Sequence, residues 1–406
     1  MISILINAYA CSPNMGSEPG MAWNWCINLA HYCELHIITE GEFRDKIEAT
    51  LPTLPQGKNI HIYYNPVPEH VRKMCWNQGD WRFYKYYKEW QWKTYLMAKE
   101  ICQKIHIDIL HQLNMIGFRE PGYLWKIPDI PFIWGPVDAK EGFPMAYLKG
   151  ASLKTKLFMQ LKNIITKWQL QHSKRVHMAA RRASYVISAS SNSQQAFKKY
   201  IQIESPLLNE TGCYIQKHPI IDKSKKESLD ILWVGKLDFR KQLGLALRSI
   251  AKTQNPHIKL HIVGGGNSLS YQALAKEIGI ETQCKWYGSV SHKEVQKIME
   301  ESDVFFFTSV AEGTPHVVLE AIGNNLPVVC FDTCGQGDSV NEKVGIKISL
   351  STPSQSIIDF AKKINYLYQN RFILQQLSEG CNKRQKELSW DNKALQMVEL
   401  YNKALN

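Results

Sequence analysis

Two glutamates in the second half of the chain, Glu312 and Glu320, enclose the segment Gly313, Thr314, Pro315, His316 and a short apolar run. The apolar stretch Val304–Thr308 ahead of them reads as a buried strand, and the residues after Pro315 read as a helix. Thr314 suits the N-cap of that helix and Pro315 its first position, where the missing N–H costs nothing. The free N–H groups of a helix start form an anion site suited to a pyrophosphate. Glu320 follows Pro315 by five residues, about 7.5 Å along the axis, comparable to the distance from a diphosphate to its ribose. A carboxylate there can accept from two vicinal hydroxyls, while Glu312 falls on the side of the transferred group.

Charge for such a phosphate is available in VGKLDFRKQLG, Val234–Gly244, which follows another strand-like run and carries Lys236 and Lys241. A departing nucleoside diphosphate gains negative charge in the transition state, and fixed cations with helix N–H groups stabilise it. The chain contains no DxD or DxH. The lysines are therefore expected to stand in for a metal, and no cofactor is expected. Gly264, Gly265 and Gly266 follow the run HIKLHIV. Near the N-terminus, SPNMGSEPG places Gly16, Glu18 and Gly20 in a loop between the first strand and first helix, where glycines permit close backbone approach. DILHQLN supplies His111 at a strand end.

EGTPHVVLEAIG resembles the E-x7-E motif of family-4 glycosyltransferases, which have the GT-B fold and retain anomeric configuration. The resemblance implies that Glu312 contacts the donor sugar and that Glu320 holds the nucleotide ribose, with Gly313, Thr314, Pro315 and His316 in the donor-binding loop. VGKLDFRKQLG is similar to that family's G-[RK]-L-x-x-x-K-G segment, which puts Lys236 and Lys241 on the diphosphate. Gln242 stands where the family usually has glycine. Gly264 and Gly265 match its glycine loop, and KWYGSVSHKEV resembles the segment around the nucleobase. In the N-terminal half the resemblance implies that Gly16, Glu18 and Gly20 approach the phosphate and acceptor. It carries the catalytic-cleft histidine to His111, for which a core role is the open alternative.

These residues need a scaffold that brings strand ends together. The chain has 406 residues, too many for one compact core, so two domains are expected. Apolar runs at Ile2–Tyr9, Leu35–Thr39, Ile60–Tyr64, Ile107–Leu110, Pro131–Val137 and Tyr185–Ala189 alternate with helical segments. A second series at Ile231–Gly235, Lys259–Val263, Cys284–Tyr287, Val304–Thr308 and Val328–Phe331 repeats the scheme. Runs buried on both faces belong to parallel sheets. The expected fold is α/β: two Rossmann-like doubly wound domains of GT-B type, facing a central cleft. Residues 1–205 form the acceptor-side domain, joined by a C-terminal crossover helix over 388–406, and residues 206–387 form the nucleotide-sugar donor domain. The boundary is set in the polar stretch Glu204–Thr211, with Asp222–Ser228 as the alternative.

Composition excludes several classes. Hydrophobic residues make up 44% and charged residues 21%, which rules out a disordered or low-complexity chain. No run of 18 apolar residues exists and no Lys or Arg precedes the first apolar stretch, so neither a membrane span nor a signal peptide is expected, and the chain is placed in the cytoplasm. The ten cysteines show no CxxC pair and no clustered histidine partners, which argues against disulfides and structural zinc. The net charge is +12, and Gly142–Ile203 holds eleven Lys or Arg with no Asp or Glu. Within it, Leu153, Leu157, Leu161, Ile164, Ile165 and Trp168 recur at helical spacing among lysines, so an anionic membrane surface on the inner face is an expected partner. Trp76 to Tyr95 is rich in aromatic residues, but no nucleic-acid module accompanies them, and no nucleic acid is expected. The functional expectation is a retaining, metal-independent hexosyltransferase. It uses a nucleotide-sugar donor and a saccharide or lipid-linked acceptor hydroxyl, in bacterial surface polysaccharide or glycolipid assembly. A nucleotide-sugar epimerase of similar fold, or an inactive nucleotide-sugar-binding homologue, stands as the alternative.

Overall fold

The computed structural model of the chain describes residues 1–77, 80–216, 220 and 226–406. It divides into two compact units. The first contains Met1–Glu141, Thr166–Glu210 and Trp390–Asn406, and the second contains Gly142–Ile165 and Thr211–Ser389.

The first unit is built on six strands: β1 (Ile2–Ala8), β2 (Cys33–Thr39), β3 (Ile60–Tyr64), β4 (Ile109–Asn114), β5 (Phe132–Val137) and β6 (Tyr185–Ser188). They form one parallel sheet in the order β3-β2-β1-β4-β5-β6. The order reverses beside β1, which is where doubly wound sheets open a crevice at their carboxyl ends. The central strands are apolar on both faces because helices cover both. Leu5, Ile38, Leu110, Phe132 and Trp134 pack with Trp90 and Phe197 on one side. Ile4, Ile6, Leu35, Ile37 and Ile133 pack with Trp25, Met397 and Tyr401 on the other. The helix Trp390–Leu405 is held there by an edge-to-face contact between Trp25 and Trp390 at 5.8 Å.

The second unit repeats this plan with β7 (Leu229–Val234), β8 (Ile258–Val263), β9 (Cys284–Gly288), β10 (Val304–Phe307), β11 (Val328–Phe331) and β12 (Gly345–Ile348). Its parallel order is β12-β11-β10-β7-β8-β9. Helix starts follow from short-range chemistry. Ser291 accepts from the Glu294 N–H at the start of His292–Glu301, and Thr352 accepts from the Gln355 N–H at the start of Pro353–Gln369. Both are S/T-x-x-E/Q sequences of the capping-box type.

The structure departs from the sequence reading in two places. Strand β12, GIKI, is only four residues long, buried at its two ends and exposed at Lys347, and has too little apolar pattern to be read from sequence. Residues 142–165 belong to the second unit, because Phe143, Tyr147, Leu148 and Met159 join the core that contains Ile231, Trp233 and Phe331. The division between units falls at Glu210/Thr211, and the terminal helix starts at Trp390. The alternative boundary over 222–228 lies largely outside the described residues.

The helix Leu153–His172 exposes Leu153, Leu157, Phe158, Leu161, Ile164, Ile165 and Trp168, the last at 59% and the first at 83%. The basic segment is partly neutralised from outside. Arg175 pairs with Glu120, Lys198 with Glu204 at 2.8 Å and Lys199 with Glu141 at 2.8 Å. The aromatic stretch divides: Phe83, Tyr87 and Trp90 are buried around Tyr9, whereas Trp76, Trp81, Tyr84 and Trp92 are exposed. Among the described residues no helix is long and apolar enough to cross a membrane.

Candidate functional site

The loops at the carboxyl ends of β7, β8 and β10 gather the motifs of the second unit. Lys241 lies in the loop after β7 and Glu312 in the loop after β10, and the Lys241 ammonium stands 2.7 Å from Glu312 Oε1. Both side chains are largely covered, at 15% and 17% exposure, so the pair is better shielded from water than a surface salt bridge. The ammonium also lies 5.0 Å from the centre of the Phe307 ring, within cation–π range. Ser309 Oγ donates to Glu312 Oε1 at 2.6 Å and fixes the carboxylate from within the same loop.

The two loops are tied to each other through backbone groups. Thr308 Oγ1 donates to the Lys241 carbonyl at 2.7 Å and accepts from the Trp233 indole N–H at 3.0 Å. The Val310 N–H donates to the Arg240 carbonyl at 3.1 Å. Gln242 adopts a left-handed backbone, φ 54° and ψ 40°, the conformation that glycine takes without strain. Its side-chain amide compensates by donating to the Tyr147 carbonyl at 2.9 Å and to the Phe239 carbonyl. The turn therefore survives a non-glycine residue.

The glycine loop packs directly on the lysine loop. A Cβ on Gly264 would meet the Gly235 carbonyl oxygen at 1.8 Å, so no larger residue fits. The Leu237 N–H donates to the Gly265 carbonyl at 2.9 Å. Lys236 points into solvent at the rim of this junction.

The helix after Glu312 is His316–Gly323, and its N-cap is Pro315 with an extended backbone. The expected capping by Thr314 is therefore corrected by one position. Thr314 is instead buried against Gly335, where a Cβ would lie 2.5 Å from its hydroxyl, and the N-cap residue Pro315 has no side-chain cap to offer the helix start. The Gly335 N–H donates to the Gly313 carbonyl at 3.0 Å, so the segment 333–337 braces the Glu312 loop. His316, first in the helix, sets Nδ1 3.1 Å from the Thr211 hydroxyl. Desolvation lowers its pKa, partly opposed by the Glu320 carboxylate.

Glu320, a turn further on, lies 3.4 Å from His292 Nε2. Both line a cavity of about 90 Å³ with His316, Gln296 and Tyr214. The site is thus an anion-accepting helix start and a lysine, flanked by two carboxylates. Ser309 was not read from sequence, and His292 was read only as part of the KWYGSVSHKEV segment. Ser309 precedes Glu312 by three residues in the same loop, and His292 opens the helix that Ser291 caps.

In the first unit, the helix Ser17–Leu29 starts at Gly16, beside which a Cβ would meet nothing within 4 Å. That open space leaves the loop backbone accessible. Gly20 is required for a different reason, since a Cβ there would fall 1.7 Å from the Met15 carbonyl oxygen. Glu18 Oε1 accepts from the Ile116 N–H at 3.2 Å, and Oε2 is buried without a partner. Desolvation, with lesser repulsion from Glu210 and Asp138, pushes its pKa up to about 7.

His111 is corrected. It is fully buried, with Nδ1 2.6 Å from the Tyr401 hydroxyl and Nε2 2.6 Å from the Gly135 carbonyl. A carbonyl only accepts, so Nε2 carries the proton and Nδ1 accepts from Tyr401. Burial lowers the pKa to about 4 and leaves the ring neutral. With both nitrogens engaged it fastens the terminal helix to the sheet and has none left for a substrate.

Residues 215–387 match the family model of glycosyl transferases group 1. Over 139 residues, 33% of the chain, the sequence is 33% identical to a lipopolysaccharide 1,6-galactosyltransferase of Salmonella typhimurium, covering 38% of that protein. It is 27% identical over 124 residues to protein CapJ of Staphylococcus aureus, covering 30% of each. The chain thus matches well under half the length of these curated relatives. Across the whole chain the fold is similar to the apo form of the lipopolysaccharide outer core galactosyltransferase WaaB. The TM-score there is 0.65 at 18% identity, covering 100% of this chain and 99% of that one. It is also similar to Anabaena HepE in complex with UDP and glucose, with a TM-score of 0.61 at 15% identity, covering 99% and 100%. At such identities the likeness speaks for fold alone. The chain has the two-unit α/β GT-B fold, and residues 215–387 of its second unit match the glycosyl transferases group 1 model.

Proposed function

We propose that the protein is a retaining glycosyltransferase that moves a hexose from a nucleotide-sugar to a hydroxyl acceptor during assembly of a surface polysaccharide or glycolipid. The observation that carries this reading is the Lys241–Glu312 pair set at the root of a helix that also bears Glu320. Held in this way, the lysine is poised to exchange its carboxylate partner for the donor diphosphate, which releases Glu312 to the sugar. Lys236 and the helix N–H groups add to the same anion site, and Glu320 takes the ribose hydroxyls. Cations fixed by the fold supply the charge stabilisation that a metal supplies elsewhere, so transfer proceeds without one. The match to glycosyl transferases group 1 over the residues bearing all four groups supports the donor assignment.

Gly16, Glu18 and Gly20 form the acceptor side of this reading. Glu18, with one bare oxygen and a pKa near neutrality, can either donate to or accept from a sugar hydroxyl. The exposed apolar stripe of Leu153–His172, set among Lys154, Lys156, Lys162 and Lys167, docks the enzyme on an anionic membrane where a lipid-linked acceptor is presented. Screening nucleotide-sugars for acceptor-dependent nucleotide release tests the reading, beginning with UDP-galactose and UDP-glucose.

A further inference from the structure

Outside the donor loops, the first unit brings together three metal-ligating side chains that sequence spacing hides. Strands β2 and β3 are parallel neighbours, and His36 pairs in register with His61. Glu34 precedes His36 by two residues and so shares its face of the sheet. One ligating atom from each of Glu34, His36 and His61 lies within 4.8 Å of the others. His61 Nε2 is 3.1 Å from Glu34 Oε1. Two donors bound at about 2 Å to a tetrahedral zinc ion stand about 3.3 Å apart, so this pair already has the spacing of adjacent ligands.

His36 supplies the independent sign of a missing ligand. It is 3% exposed, and its Nε2 is buried without a partner. A bare buried imidazole nitrogen is unusual enough to require an explanation. Its Nδ1 lies 3.2 Å from the Tyr63 hydroxyl. When Nδ1–H donates to that hydroxyl, the ring is locked in the tautomer whose Nε2 lone pair is free for a metal. Ser3 lies across from Glu34 on β1, and its Oγ is likewise buried without a partner.

We propose that Glu34, His36 and His61 form a Zn²⁺ site that ties edge strand β3 to β2. Imidazole and carboxylate ligands suit this ion, and a water completes a tetrahedron. The two imidazole rings are stacked at 4.8 Å with 16° between their planes, so closure requires one of them to turn. His36 is fixed, whereas His61 and Glu34 are 43% and 47% exposed and have room to do so. The site belongs to the first unit and shares no residue with the donor loops, so its role is structural. Spacing along the sequence hides this group because only strand register joins His61 to Glu34 and His36.

The test is Zn²⁺ titration of tag-free, chelator-stripped protein under reducing conditions, in competition with a chromophoric chelator. Wild type, His61→Ala and Glu34→Gln are compared, since both altered positions are half exposed and tolerate change. The expected result is one tight equivalent in wild type, absent in His61→Ala and at least tenfold weaker in Glu34→Gln, with Zn²⁺ raising the melting temperature of wild type only. Equal stoichiometry and affinity in wild type and His61→Ala, or no tight equivalent in wild type, overturns the proposal.

Discussion

Lys241 and Glu312 come from loops on neighbouring strands and meet at 2.7 Å, each at least four-fifths covered. Removing the lysine leaves a shielded carboxylate without its cation and strips the donor diphosphate of a fixed charge. Lys241→Ala is expected to slow transfer roughly 10²- to 10³-fold, the usual cost of one transition-state donor. Turnover of wild type should persist in EDTA. Loss on chelation with rescue by Mg²⁺ or Mn²⁺ would place the charge stabilisation on a metal instead.

Glu320→Ala is expected to weaken binding of the free nucleoside diphosphate by about 1–3 kcal/mol, because two ribose hydroxyls lose their acceptor. Calorimetry on folded variant and wild type reads this directly. Unchanged affinity removes Glu320 from the ribose and leaves its contact with His292 as its role.

Eleven of the twelve strands were legible because parallel strands covered on both faces are written as largely apolar runs, as in β1 and β10. The Glu312 and Glu320 helix was legible too, within one residue at its cap. What escaped was set by tertiary contact. Nothing in Gly142–Ile165 marks its side chains for the second core, and nothing in DILHQLN distinguishes a cleft histidine from one held by Tyr401 and Gly135. Thr314 has the residue type of a cap, but packing on Gly335 takes it elsewhere. The partners of Lys241 and Glu312 were visible only as separate motifs.

Two buried groups in the first unit give opposite pH dependences. Glu18 is raised to about 7 from 4.5, so its contribution is present below 4.5 and is lost as pH rises through 7. His111 is lowered to about 4 from 6.5, so its contribution is present above 6.5 and is lost as pH falls through 4. Between these limits the slopes oppose. Glu18→Gln removes one of them, and on going from pH 4.5 to 6.5 the variant should gain about 2 kcal/mol relative to wild type. Urea midpoints at the two pH values check this. Parallel behaviour of variant and wild type would mean that Glu18 titrates normally.

Exchange of Lys154, Lys156, Lys162 and Lys167 for Gln is expected to abolish co-sedimentation with anionic liposomes while sparing transfer to a soluble acceptor. Near such a surface each cation contributes about 1 kcal/mol, within a screening length of about 10 Å at 0.1 M salt. Binding should therefore weaken steeply as salt rises. Wild type that ignores anionic vesicles at low salt sends the exposed stripe of Leu153–His172 to a protein partner instead.

The central claim is that the donor loops of the second unit activate a nucleotide-sugar for transfer. Its most direct test is nucleotide release across a panel of nucleotide-sugars, with and without acceptor glycans, in wild type and in Glu312→Gln. The account predicts one donor whose nucleotide is released only with acceptor, a new glycosidic product of retained configuration, and at least a hundredfold loss in the variant. Release that yields an epimerised free sugar without acceptor, or tight nucleotide-sugar binding with no turnover of any donor, would contradict it.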